Sequence, residues 1–153
     1  MPREEWSLLK LATLAGVQPK VAYEARDRQV VHPEVLAPSD VLPLLTFDAL
    51  RRVSWPGENY ARNARQRLRL WESLAIEQSR IDLENVKPLT GLYVHPGGAV
   101  LAASPSEHAT AALRFVENQE PHMYLPLDKW TAQTLNRLTE GSNTEPDPSQ
   151  AIA

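Results

Sequence analysis

Ser7-Leu8-Leu9-Lys10-Leu11-Ala12-Thr13-Leu14-Ala15-Gly16-Val17-Gln18-Pro19-Lys20-Val21-Ala22-Tyr23-Glu24-Ala25-Arg26-Asp27-Arg28 is the stretch on which the fold turns. Leu8, Leu11, Ala12 and Ala15 recur at i, i+3, i+4 and i+7, the spacing of one apolar helical stripe. Ser7 precedes them as an N-cap, its hydroxyl able to accept a bond from an unpaired backbone N–H. Gly16 closes the helix, because a C-terminal glycine can turn left-handed without a Cβ in the way. Val17 plugs the corner, and Pro19 suits the first position of a second helix, where its missing N–H would be unbonded anyway. That second helix is predicted to run to about Arg28, with the small residues Ala22 and Ala25 facing inward. Two short helices joined by a tight glycine turn spell helix-turn-helix.

Working outward, Val30-Val31 reads as a short strand. Residues 41–45, interrupted by Pro43, read as its returning partner, the two forming a wing. A further helix is expected over residues 48–53, capped by Thr46. With these elements the first third of the chain resembles the winged N-terminal domain of MerR-type regulators and phage excisionases. The resemblance is carried by Trp6-Ser7 followed by the helix ending in Ala12-Thr13-Leu14-Ala15-Gly16-Val17. It continues in Gln29-Val30-Val31-His32-Pro33, set where the family has Gly-Leu-Leu-x-Pro, and in Thr46-Phe47-Asp48-Ala49-Leu50 after the wing. It implies binding of double-stranded DNA, with Gln18, Lys20 and Tyr23 on the recognition helix and Arg26 and Arg28 flanking it. The chain departs from the family in the recognition helix, where Ala22-Tyr23-Glu24-Ala25-Arg26 replaces Ile-Arg-Tyr-Tyr-Glu. The exposed face expected there, Lys20, Tyr23, Glu24 and Asp27, carries at least as much acid as base. No Lys or Arg lies between Gln29 and Leu50.

The chain has 153 residues, room for one ordinary core or two small ones in series. The net charge of −3 means that any attraction to nucleic acid must come from a local basic face rather than the whole molecule. Without cysteine there is no disulfide framework, thiolate metal site or thiol nucleophile. No apolar run reaches the roughly 20 residues that span a bilayer, and the first residues lack the pattern of a signal peptide, so a cytoplasmic location is expected.

The sequence divides into a winged helix-turn-helix-like module (residues 1–53), a Pro-Gly hinge (54–59), a second unit (60–139) and a polar tail (140–153). The fold class expected is α+β: the winged module, then a long helix, then a small sheet with helices. On the long helix Arg62, Arg65 and Arg69 recur at helical spacing beside Arg67, an exposed face fit to hold phosphate backbone without reading sequence. Ala61, Ala64, Leu68, Trp71 and Ala75 form the opposite stripe, and with Trp130 and Leu135 they suggest a homodimer. Beyond this helix, residues 89–103 read as two strands, 106–117 as a helix, 122–125 as a strand and 127–138 as a helix.

Nothing in the sequence argues for an enzyme. His32, His95, His108 and His122 are too scattered for a metal site. His95-Pro96-Gly97-Gly98 is better read as a hairpin turn than as an oxyanion loop, since no nucleophile elbow accompanies it. Phosphate-loop and dinucleotide fingerprints are absent, so no cofactor and no small-molecule substrate are expected. Two functions remain: a DNA-binding regulator or recombination accessory factor, and a structural or assembly protein, such as a phage particle component, using the same fold against protein.

Overall fold

In the computed structural model, residues 7–31, 36–58 and 67–142 are described. Helices α1 (Leu8–Ala15) and α2 (Pro19–Asp27) stand where two short helices were expected, joined at Gly16. The Ser7 hydroxyl accepts from the Lys10 N–H at 3.0 Å, and Gly16 takes a left-handed conformation at φ 73°. A Cβ at Gly16 would stand 2.8 Å from the Arg137 guanidinium, which donates to the Leu14 carbonyl at 2.9 Å. Gly16→Val is therefore expected to lower stability by more than about 1 kcal/mol, read as a fall in melting temperature. An unchanged melting point would refute this account of the corner.

After α2 the expectation and the structure part. Val30 and Val31 are buried in a bend, not a strand, and residues 41–45 are helical rather than extended. Helix α3 (Val41–Leu50) follows a 3-10 turn at Pro38–Asp40, so it starts well before Thr46, which is an interior, fully buried residue and not a cap. Pro43 is tolerated because the first-turn N–H groups of a helix have no intrahelical acceptor to lose. Of the wing segment, residues 32–35 lie outside the described residues. Helix α3 is the centre of the first core: Leu42, Leu44 and Phe47 pack with Leu11 and Ala12 of α1 and Val21, Ala22 and Ala25 of α2.

The predicted long helix is interrupted, and its first part, residues 60–66, lies outside the described residues. Residues 67–69 are not helical, and α4 (Leu70–Gln78) begins only after an extended Arg69. The remainder follows the sequence reading closely. Strands β1 (Gly91–His95) and β2 (Gly98–Ala102) form a hairpin, α5 (Pro105–Glu117) is capped by Ser104, β3 (Met123–Leu125) pairs with β1, and α6 (Leu127–Ser142) ends the described chain. The sheet is antiparallel in the order β2-β1-β3, with Tyr93 opposite Val100 on one side and Tyr124 on the other. The architecture is mixed helix and sheet, as expected of an α+β chain.

One face of the sheet, through Leu92, Val94 and Leu125, packs with Trp71 and Ala75 of α4 and Leu127 of α6. On the other lie Tyr93, whose hydroxyl meets His108 Nδ1 at 2.8 Å, and His95, whose Nδ1 meets Glu120 Oε1 at 2.8 Å. The two cores do not divide at residues 54–59. Leu50 and Trp55 belong to the sheet-side cluster, while Ile76 and Leu83 join the cluster of α1, α2 and α3. Trp71 and Ala75, expected on a dimer stripe, are thus spent inside the chain. Among the described residues no helix is long and apolar enough to cross a membrane.

Candidate functional site: an arginine-lined cleft beside the second helix

Helix α2 buries Val21, Ala22 and Ala25 against α1 and α3 and leaves its other side to solvent. Gln18, Lys20, Tyr23 and Arg26 are exposed there, and Arg28, at the end of α2, is half-buried. The Arg26 guanidinium lies over the Tyr23 ring at 5.1 Å and within 3.4 Å of Asp27. Tyr23 keeps 46% of its surface accessible, a flat ring held outward on a rigid helix.

Where α2 and α3 end, a cleft of about 600 Å³ opens, lined by Arg28, Arg51, Arg52 and Arg67 together with Glu24 and Glu72. Four arginines against two glutamates leave it formally positive. Part of this charge serves the fold, since cations complement the carbonyl ends of helices. Arg28 lies over the Phe47 ring at 5.4 Å, and Arg51 donates to Glu24 Oε2 at 2.6 Å. Arg52 and Arg67 are different: both are exposed, and neither has an acidic partner among the described residues.

Of the arginines expected on an exposed phosphate-binding face, Arg62 and Arg65 lie outside the described residues. Arg69 is not exposed. Its side chain keeps only 9% of its surface, and its guanidinium meets Glu58 at 3.0 Å and Glu72 at 3.3 Å. It also donates to the carbonyls of Leu50, at 3.0 Å, and Val53, and stacks over Trp71 at 4.3 Å. Desolvation decides this location: so many acceptors in one buried place can hold a guanidinium that solvent would otherwise claim.

The two glutamates around Arg69 are pushed in opposite directions. Burial raises the carboxyl of Glu72 above the usual range, although Arg69's charge and hydrogen bonds pull it down. Burial also acts on Glu58, but there the Trp71 indole N–H, the Trp55 backbone N–H and Arg69 prevail and hold it below the usual range. Glu72 also lines the cleft, and Arg69, expected on an exposed helix face, is buried against it.

Sequence reasoning missed Arg51, Arg52 and Arg67 as members of one site, because they stand on two separate segments and meet Arg28 from a third. The available signals were an Arg-Arg pair at a helix end and the i,i+4 pair of Glu24 and Arg28. The described histidines are engaged around α5 and the sheet: His108 between Tyr93 and the Leu89 carbonyl, His95 on Glu120, His122 stacked on Phe115 at 4.4 Å. Among the described residues no group of three or more His, Asp or Glu side chains is placed to hold a metal ion.

Comparison with family models, curated proteins and solved structures finds no match to this chain.

Proposed function

We propose that this chain is a non-catalytic protein that binds double-stranded DNA, as a regulator or recombination accessory factor. It presents α2 to a groove and holds the sugar-phosphate backbone with the arginines beside it. The observation that carries the reading is the cleft, where Arg28, Arg51, Arg52 and Arg67 gather at the end of a helix whose outer face bears Gln18, Lys20, Tyr23 and Arg26. Phosphate contacts position a protein on duplex while base-edge contacts specify the sequence. The cleft supplies the first kind and α2 the second. No cofactor is needed for either.

The test is binding to duplex of random sequence followed across a salt series. Arg52→Ala with Arg67→Ala should weaken binding alike on every sequence and reduce the salt slope by about one for each phosphate no longer held. Both side chains are exposed, so the fold should be unaffected. Tyr23→Ala should instead lower the preference among sequences more than it lowers overall affinity. No retention of the unaltered protein at about 50 mM salt would overturn the reading, because non-specific electrostatic attraction is strong there. The assembly-protein reading would then stand, with the exposed Leu113 and Val116 of α5 as its contact surface.

A further inference from the structure

Within the cleft one acid is placed where a ligand would be. Glu24 projects from α2, and its Oε2 lies 2.6 Å from Arg51 Nη1 and 3.6 Å from Arg28 Nη1. A single carboxylate oxygen thereby spans two guanidinium groups from two different helix ends. Two other acids lie nearby but neither spans both arginines, although Glu72 also feels the charge of Arg28. Asp48 reaches only Arg51 Nε, at 3.9 Å, and Glu72 belongs to Arg69.

The carboxylate does not fill or neutralise the site. The cleft is about 600 Å³, far more than one carboxylate occupies, and Arg52 and Arg67 line it without acidic partners among the described residues. Glu24 also retains 32% of its side-chain surface, against 19% for Arg51 and 20% for Arg28. It can therefore swing toward water on its own rotatable bonds while the two arginines stay where packing holds them. The pair with Arg51 is part-buried, so opening it is costly unless an incoming anion replaces the carboxylate.

We infer that the cleft is a phosphate seat whose resting occupant is the protein's own Glu24 carboxylate, and that a backbone phosphate binds by exchanging with it. The chemistry fits the exchange. A phosphodiester offers two anionic oxygens to the arginine forks where Glu24 offers one oxygen to two arginines, and guanidinium recognises phosphate in a bidentate manner. The consequence is a threshold. Glu24 keeps Arg28 and Arg51 charge-compensated in the free protein and so lowers affinity for stray anions. It yields only where Arg52, Arg67 and α2 engage the same duplex.

This inference rests on the DNA-binding reading, and its test separates the two. Glu24→Gln keeps the size and a hydrogen-bonding oxygen but removes the charge. It should bind random-sequence duplex about 3- to 10-fold more tightly at 100 mM salt, with a salt slope steeper by about one. Glu24→Ala should behave alike, and both should keep the native circular dichroism spectrum. If the unaltered protein binds duplex and neither variant binds more tightly, the exchange is wrong while DNA binding stands. If the unaltered protein binds no duplex, the DNA reading fails, and inorganic phosphate decides the seat by NMR of the arginine side-chain N–H groups. Shifts of Arg28 and Arg51 at lower phosphate concentration in Glu24→Gln than in the unaltered protein support the seat. Equal or absent shifts overturn it.

Discussion

Arg69→Ala is expected to cost about 3–5 kcal/mol, because it leaves a buried carboxylate without its cation. Glu72 keeps 3% of its side-chain surface and loses its Arg69 Nε partner, while the Leu50 and Val53 carbonyls lose their donor and Trp71 its stacked guanidinium. The deficit should depend on pH. Burial already raises the Glu72 carboxyl, and removing Arg69 takes away the charge and hydrogen bonds that oppose it. A raised carboxyl contributes stability below its unfolded value of 4.5 and loses it as pH rises through the folded value. Glu58 adds to the same trend, since its lowered carboxyl gives stability above 4.5 and part of that lowering comes from Arg69. The loss in Arg69→Ala should therefore be larger at pH 7 than at pH 4 in urea denaturation. Arg69→Met combined with Glu72→Gln should recover much of it, since an apolar replacement of a buried pair is tolerated where a broken pair is not. A loss under about 1 kcal/mol, equal at both pH values, would contradict the buried network.

The same residue marks the boundary of what the sequence could say. Arg62, Arg65 and Arg69 have helical spacing, and spacing alone makes Arg69 a surface residue. Its acceptors come from residues 50, 53, 58 and 72, and no local pattern reveals that they converge. Helix α3 was hidden for a related reason. Val41, Leu42, Pro43, Leu44, Thr46, Phe47 and Leu50 are all buried. A helix covered on nearly every side has no polar face, so its 3.6-residue period vanishes and its β-branched start reads as a strand.

Where a single face meets solvent, the sequence was legible. The caps at Ser7 and Gly16, the α2 side bearing Lys20 and Tyr23, and the hairpin at Pro96-Gly97 all stand as local chemistry requires. The cleft was half legible: α2 offered Arg28, but Arg51, Arg52 and Arg67 reach it through tertiary packing that brings the end of α3 against residues 67–68.

Arg80→Ala is expected to cost about 3 kcal/mol and to reach the proposed DNA-binding surface, although Arg80 does not line the cleft. Asp40 is fully buried at the start of α3, accepting from the Ala37 N–H at 2.9 Å and from Arg80 Nη1 at 3.1 Å. The second nitrogen of the same fork, Nη2, donates to the Val30 carbonyl at 2.8 Å, just beyond the end of α2. One guanidinium from the segment after α4 therefore ties the exit of α2 to the entrance of α3. Removing it strands a buried carboxylate with a single donor and frees a buried carbonyl, the situation in which breaking a pair costs more than the pair was worth. Arg80→Lys should recover only part of the loss, because one ammonium cannot serve Asp40 and Val30 with the geometry of a fork. Since α2 carries Lys20 and Tyr23 and its end carries Arg28, loosening this tie should weaken duplex binding with the salt slope unchanged, every phosphate-holding side chain being still in place. Urea denaturation and the salt series together check this. Stability within about 1 kcal/mol of the unaltered protein would show that Asp40 finds another partner, and a reduced slope would show that Arg80 itself touches phosphate.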